Sequence, residues 1–188
     1  QGDDFCAFTF LFPLGRGRFG VKTRSYVSES KLKKLNTAMR NKYDELIDEG
    51  TLIVIPGVLL EMDRIYDDLE EFIYGHRYSV SAFGYDPYNA RDFVQRWVRS
   101  NGEYGVEKVI QGAKTESVPM GEIKNLASER MLIFDEEMMK VAMGNAVAIQ
   151  DNNGNYKLSK RRQDEKIDNV AALIDAWVAY SRNRDLFD

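Results

Sequence analysis

The sequence predicts an α/β fold in which a mixed β-sheet is covered by helices. Residues 5–14 and 19–27 are rich in aromatic and β-branched side chains, and the glycine-rich turn between them predicts an antiparallel hairpin. A strand, a helix and a second strand follow in order between residues 78 and 110. That order is typical of parallel pairing, so one sheet is expected to combine both kinds of strand pair.

In the first two thirds of the chain, the spacing of apolar residues and the positions of turn residues predict the remaining helices and strands. Pro87 cannot occupy a central strand, so the strand before it is expected to end at Asp86. The helical spacing of the first helix stops at Gly50, so this helix is expected to end there. In chain order, the pattern predicts a helix at 31–47, a strand at 51–55, a helix at 60–74, a strand at 78–85, a helix at 88–98 and a strand at 106–110.

The last third of the chain is expected to be mainly helical, with one further hairpin. Asn153-Gly154 suits the left-handed torsions of a tight hairpin turn, so strands are expected on either side of it. The predicted elements are helices at 120–129 and 136–145, the strands 146–150 and 156–159, and a closing helix at 167–180 whose apolar residues share one face.

Length and composition indicate one domain with a reduced cysteine. The 188 residues, 44% of them hydrophobic, suffice for one substantial core. Cys6 is the single cysteine, which excludes an internal disulfide and favours a reducing compartment. No apolar run approaches the ~20 residues that a membrane helix needs. The chain begins directly before a strand, and this start suggests a piece cut from a longer protein.

The charge balance limits how the chain could bind nucleic acid. Lys and Arg number 26 against 30 Asp and Glu, so the formal net charge is -4. Phosphate contacts must therefore come from local basic clusters. The sharpest cluster contains Lys160, Arg161, Arg162 and Lys166, placed just before the last helix. We expect it to bind DNA, and a solvated surface loop is the alternative interpretation.

Several motifs can be set aside. Gly15-Arg-Gly-Arg-Phe-Gly20 has the letters of a dinucleotide-binding loop, but a strand rather than a helix follows it. No phosphate-binding loop of the nucleotide-driven motors occurs. His76, the single histidine, is expected to cap a helix end or to be solvated there, and Cys6 is expected to be a small buried side chain.

Carboxylates are the strongest candidates for chemistry. Asp86 ends a predicted inner strand, where open α/β sheets place their active sites. Asp168 falls in the first turn of the last helix, and Asp3 and Asp4 directly precede the first strand. Taken singly, these acids could be ordinary turn or helix-start residues. Together they would form an oxygen-rich cage suited to two Mg²⁺ or Mn²⁺ ions.

The order of several short motifs resembles the nuclease domain of phage terminase large subunits. Each motif alone is weak, but their order and spacing match over nearly the whole chain. The matching motifs are Phe83-Gly-Tyr-Asp86-Pro-Tyr-Asn-Ala90, Val109-Ile-Gln-Gly112, Ser117-Val-Pro-Met120 with Glu122 and Leu126, Gly144-Asn-Ala-Val147, residues 151–157, and Ile167-Asp-Asn-Val-Ala-Ala-Leu173.

The resemblance implies an RNase H-like mixed β-sheet flanked by helices on both faces, and a nuclease that cuts concatemeric phage DNA with two divalent metal ions. Residues 1–188 would be a single nuclease domain of a larger subunit whose ATPase domain lies elsewhere. Asp86 and Asp168 would be the second and third family carboxylates, catalytic and metal-binding. The implied partners are double-stranded DNA, the ATPase domain, the small terminase subunit and the portal, in the cytoplasm of a bacterial host.

One departure from the family pattern leaves alternatives open. The family's first carboxylate lies on the first strand, a few residues ahead of an aspartate resembling Asp4, and that stretch does not occur in this sequence. Asp4 is therefore expected to be an accessory catalytic and metal-site acid, although Asp3 or Asp4 could replace the first carboxylate directly. The alternative functions are a non-catalytic module that clamps DNA or docks on the portal, and another RNase H-like nuclease such as a resolvase.

Overall fold

The computed structural model describes residues 5–163 and 165–188 of the chain. Asp3 and Asp4 therefore lie outside the described residues. The strands are β1 (Phe5–Gly15), β2 (Arg18–Ser28), β3 (Leu52–Ile55), β4 (Phe83–Tyr85), β5 (Val106–Lys108), β6 (Leu132–Ile133), β7 (Ala146–Gln150) and β8 (Tyr156–Lys160). The helices are α1 (Glu29–Lys33), α2 (Thr37–Glu49), α3 (Met62–Gly75), α4 (Arg91–Asn101), α5 (Ala113–Ser128), α6 (Glu137–Asn145) and α7 (Asp168–Arg182), followed by a 3-10 turn, Arg184–Leu186.

The largest sheet of the described chain is mixed, as the sequence predicts. β1 and β2 form the expected antiparallel hairpin, in constant register from the pair Phe5 and Val27 to the pair Pro13 and Phe19, with a shift before the pair Gly15 and Arg18. β2 pairs in parallel with β3 at one end and with β6 at the other. The α/β class is confirmed.

Two smaller sheets complete the described strands. β4 and β5 pair in parallel, and β7 and β8 pair antiparallel. Both β1 and β4 pack on α7, so this helix connects the largest sheet to the β4-β5 pair. In the described chain, β1 and β4 belong to different sheets and do not pair with each other.

Helices cover opposite faces of β1. Phe8 and Phe10 pack into a cluster built by Ile65 and Leu69 of α3 and by Phe93 and Trp97 of α4. On the other face, Leu11 packs into a cluster dominated by Leu173, Ile174 and Trp177 of α7. Alternate residues of a strand point to opposite faces, so β1 lies between two helix layers.

Two predicted helices have different limits in the structure. The helix predicted at 31–47 is two helices, because Asn36 caps α2 by accepting a hydrogen bond from the Met39 amide at 2.9 Å. The helix predicted at 120–129 begins a full turn and more earlier, at Ala113, and contains Pro119 in its interior. Pro119 is buried, and as a proline it cannot donate a backbone hydrogen bond within α5.

Two predicted strand features also differ. The strand predicted at 78–85 is confined to Phe83–Tyr85, because the parallel partner β5 begins only at Val106. The predicted tight turn at Asn153-Gly154 is a five-residue loop between Gln150 and Tyr156, in which the Asp151 carboxylate accepts hydrogen bonds from the Asn153 and Asn155 amides. The hydrogen bonds to the Asp151 side chain stabilise this loop in place of the backbone hydrogen bonds of a two-residue turn.

Among the described residues, no helix combines the length and the apolar character that crossing a bilayer requires.

Candidate functional site

Asp86 lies immediately after β4, where Pro87 ends the strand as predicted. It is buried, with 7% of its surface exposed. Its carboxylate accepts hydrogen bonds from the Tyr88 amide at 3.0 Å and from the Asn89 side-chain amide at 2.7 Å. These bonds fix the carboxylate and use only part of its acceptor capacity.

Gly84 brings Asp86 close to α7. A β-carbon at Gly84 would lie 2.1 Å from the carbonyl oxygen of Asp175, far inside van der Waals contact. Only glycine allows β4 to pack this tightly on the helix. The short approach places the end of β4 beside the middle of α7.

Asp168 is the first residue of α7, as the sequence predicts to within one residue. The adjacent Asn169 is buried and anchors this end of the helix. Its side-chain amide donates to the Ser25 hydroxyl at 2.9 Å, and its carbonyl accepts from the Thr9 hydroxyl at 2.8 Å. The start of α7 is thereby tied to both strands of the first hairpin.

Asp86, Asp168 and Asp175 line one cleft with a volume of about 1170 Å³. Asp168 and Asp175 are seven residues apart, so they project within about 20° of each other around α7. The structure therefore brings the two described aspartates that were predicted as site residues to the same cleft, and it adds a third acid.

Asp175 was not among the predicted site residues. Burial, reinforced by the charges of Asp86 and Glu116, raises its pKa to about 8. Its sequence signal is an acid placed between Ile174 and Ala176 in an otherwise apolar helix, one helical repeat from Asp168. A lone carboxylate on an apolar face indicates either a partner or a perturbed pKa.

Glu116 of α5 is a second buried acid that the sequence analysis missed. It is 7% exposed, and its carboxylate accepts a hydrogen bond from the Leu158 amide of β8 at 3.1 Å. The neighbouring Ser117 hydroxyl accepts from the Tyr156 amide, also at 3.1 Å. Two adjacent side chains of α5 therefore hold the β7-β8 hairpin by its backbone.

The third predicted site acid, Asp4, falls outside the described residues, so its place in the cleft stays a prediction. Within residues 5–163 and 165–188, no three His, Cys, Asp or Glu side chains come close enough together to hold a metal ion.

The predicted DNA-binding residues lie at the end of the β7-β8 hairpin and beyond it. Lys160, Arg161 and Arg162 are exposed. Lys166 is partly buried, with its ammonium 5.6 Å from the centre of the Phe5 ring. Of these basic residues, Lys166 lies nearest to Asp168 in the chain, two residues before it.

Comparison with known proteins identifies the family. The family model described as "Terminase large subunit, endonuclease domain" matches residues 1–183. The chain belongs to this terminase endonuclease family. The resemblance inferred from its motifs is therefore confirmed at the family level.

Individual terminases are distant relatives in sequence. The terminase large subunits of Lactococcus phages p2 and SK1 are each 22% identical over 177 residues, covering 92% of this chain and 32% of their own length. The chain thus spans about a third of the relatives it matches. The crystal structure of the HK97 bacteriophage large terminase superposes with a TM-score of 0.82 at 20% identity, over 95% of this chain and 37% of that one, which confirms the fold.

Proposed function

We propose that this chain is a divalent-metal-dependent DNA endonuclease that cuts concatemeric phage DNA during genome packaging. The observation that carries the proposal is that Asp86, Asp168 and Asp175 all line one cleft in a chain of the terminase endonuclease family. By the resemblance of the motifs, Asp86 at a strand end and Asp168 at a helix start would be the second and third carboxylates of an RNase H-like nuclease.

The chemistry of the donors fits Mg²⁺ or Mn²⁺. The acids on the cleft offer hard carboxylate oxygens, and its lining contains no histidine. Burial, together with the charges of Asp86 and Glu116, raises the pKa of Asp175, so negative charge is costly at this position. A bound cation would lower that cost, so the electrostatics also favour a cation.

In this reaction the side chains of the protein would bind the metal ions and position them. Asp86, held by Tyr88 and Asn89, would bridge or anchor the ions, and Asp168 would hold one of them. Asp4 is proposed as an accessory ligand. When bound, two divalent ions lower the pKa of the attacking water and neutralise charge on the leaving 3′ oxygen.

Lys160, Arg161, Arg162 and Lys166 are proposed to hold the DNA backbone beside the acids. The exposed guanidinium groups of Arg161 and Arg162 suit bidentate phosphate contacts. Such contacts position a duplex without reading its sequence. We further propose that residues 1–188 act as one nuclease domain of a subunit that also has an ATPase domain and that meets the small subunit and the portal in the host cytoplasm.

The test is cleavage of supercoiled plasmid in Mn²⁺ by the wild-type chain and by Asp86→Asn and Asp168→Asn. Each substitution should abolish cleavage while leaving the melting temperature close to that of the wild type. Asp48→Asn, an exposed acid of α2 away from the cleft, is the matched control and should cut normally. Full cleavage by Asp86→Asn would refute the assignment.

The alternative of a non-catalytic module has one observation in its favour, the incomplete metal-binding set among the described residues. The same assay separates the two functions. A wild-type chain that binds DNA but never cuts it in Mn²⁺ would support clamping or portal docking. The family assignment favours packaging over the resolvase alternative.

A further inference from the structure

A highly exposed tyrosine follows Asp86 by two residues. Tyr88 lines the same cleft as Asp86 and Asp168, and 83% of its surface is exposed. Within the described chain, its ring contacts no other aromatic ring or cation, and its hydroxyl has no hydrogen-bond partner. The ring is therefore available to a molecule that enters the cleft.

The backbone that carries Tyr88 is held by hydrogen bonds within one turn. The Tyr88 amide donates to the Asp86 carboxylate at 3.0 Å. The amides of Asn89 and Ala90 donate to the Asp86 carbonyl at 3.2 Å and 3.1 Å, and the Asn89 side chain donates to the carboxylate at 2.7 Å. Pro87 restricts the remaining freedom through its fixed φ angle. The backbone of Tyr88 is therefore fixed relative to Asp86, because the carboxylate is itself part of the turn.

Tyr88 differs in its position from two other highly exposed tyrosines. Tyr74 and Tyr104 are 72% and 80% exposed, and both line a smaller cavity of about 260 Å³. Neither of them lines the acidic cleft. Of these three tyrosines, only Tyr88 would meet a molecule that binds at Asp86.

The exposed ring matches one chemical part of a DNA substrate. Carboxylates with bound divalent cations engage phosphate oxygens, and a phosphate group has no apolar face for a ring to cover. The bases have flat π-faces, and an aromatic side chain stacks on any of them without selecting a sequence. In an intact duplex neighbouring base pairs cover those faces, so stacking requires that a base leave the stack. The ring therefore suits an unstacked base adjacent to a phosphate at the acids.

We propose that Tyr88 is a positioning residue that stacks on an unstacked base next to the phosphate bound at Asp86, and that it directs the protein to DNA whose base stacking is disturbed. The inference rests on the proposed DNA substrate of the cleft. Because the turn ties Tyr88 to Asp86, a base held by the ring also places the adjoining phosphate relative to the carboxylate. Mismatched bases cost less to unstack than paired ones, so mismatches should strengthen binding.

The test compares the affinity for two duplexes of equal length, one fully paired and one with three consecutive mismatches at its centre. Binding is measured by fluorescence anisotropy in Ca²⁺, which also prefers oxygen ligands, over times at which the DNA remains uncut. The wild-type chain should bind the mismatched duplex about tenfold more tightly, as expected for one stacked base. Tyr88→Leu is apolar but has no π-face, and it should bind both duplexes equally. Tyr88→Phe retains the ring and should retain the preference.

Tyr104→Leu is the matched control, because it removes a similarly exposed ring outside the acidic cleft and should keep the preference. All three variants should have the melting temperature of the wild type, because exposed side chains contribute little to stability. In Mn²⁺, the ratio of kcat/KM for the two duplexes should follow the ratio of their affinities.

The outcomes separate this proposal from the endonuclease proposal. A preference that persists in Tyr88→Leu, disappears in Tyr88→Phe or Tyr104→Leu, or is absent from the wild type would overturn the role of Tyr88. A wild-type chain that prefers the mismatched duplex in Ca²⁺ and loses this preference only with the Tyr88 ring supports that role, even if it cuts neither duplex in Mn²⁺. In that last case the endonuclease proposal alone would fail.

Discussion

The backbone of Gly84 packs directly against the carbonyl oxygen of Asp175, at a distance that leaves no space for a side chain. An added β-carbon would meet that oxygen at 2.1 Å and the Ala179 methyl group at 3.2 Å. Asp175, one of the cleft acids, makes this contact with its own backbone, and Asp86, another, follows Gly84 by two residues. The geometry of the acidic end of the cleft therefore depends on one glycine.

Gly84→Ala should destabilise the chain by about 2 kcal/mol or more, because β4 or α7 must move to accommodate the methyl group. Denaturant unfolding measures the loss. The matched control is Gly121→Ala, since this glycine lies inside α5 with open space around it. The control should be neutral or stabilising by up to about 1 kcal/mol. Equal stability of the Gly84 variant and the wild type would contradict the close approach.

Asp175 should make the stability of the chain depend on pH. Its carboxyl holds a proton more tightly in the folded state, because its pKa is raised to about 8 from an unfolded value of about 3.9. Between these values the folded state binds more protons, so the free energy of unfolding falls as pH rises through that window. Asp175→Asn should flatten this slope and be relatively more stable at pH 8–9.

The measurement is thermal or urea unfolding of both chains from pH 5 to pH 9, with Asp185→Asn, an exposed acid of the last turn, as the control. The control should keep the wild-type slope. Identical slopes in the Asp175 variant and the wild type would show that Asp175 is ionised in the folded chain at neutral pH.

Arg161 and Arg162 should account for part of the affinity for duplex DNA. Replacing both with alanine is expected to weaken binding equally for unrelated sequences, because phosphate contacts carry no sequence information. The slope of log affinity against log salt should shrink by roughly 0.9 for each phosphate that the protein no longer neutralises. Fluorescence anisotropy across a salt series measures both effects. The control pair Lys42→Ala and Arg99→Ala removes two exposed charges from other helices and should change neither.

Asp68 should be important for attaching α3 to the first hairpin. Its carboxylate accepts from the Arg24 guanidinium at 2.8 Å and 3.1 Å and from the Tyr26 hydroxyl at 2.6 Å. Burial opposes ionisation, but these hydrogen bonds outweigh it and hold the pKa of Asp68 below its ordinary value. The ion pair therefore stabilises the fold above the unfolded pKa of an aspartate, and this contribution declines as pH falls through the lower folded value.

Asp68→Asn should cost about 1–3 kcal/mol at neutral pH, because Arg24 loses its charged partner. Urea unfolding at pH 7 and at low pH measures the cost, which should be smaller in acid. Glu71→Gln, an exposed neighbour on α3, provides the control. A variant as stable as the wild type at pH 7 would show that solvent replaces these hydrogen bonds without loss.

Local chemistry made much of the fold predictable. The first hairpin follows from side-chain alternation and glycine turns, and the end of β4 follows from Pro87, since both depend on residues close in sequence. Asp86 and Asp168 could be chosen from among the acids because their predicted positions, a strand end and a helix start, are places where open sheets collect ligands. Their roles stay predictions.

The features that escaped prediction depend on long-range packing. β6 is two residues long, and it is a strand only because Phe19 and Gly20 lie beside Leu132 and Ile133. Pro119 lies buried inside α5, although a proline is normally unfavourable in a helix interior. Asp175 acquires its raised pKa from burial and from acids distant in sequence, so no local pattern specifies that pKa.

The hydrogen bonds that attach β8 to α5 affect association between molecules of this protein. An outermost strand normally exposes amides that can recruit a strand from another molecule, which is a common beginning of aggregation. Here the amides of Tyr156 and Leu158 are already occupied by Ser117 and Glu116. The outer edge of β8 is thus less available for strand pairing between molecules, while the basic residues at the end of this strand remain exposed.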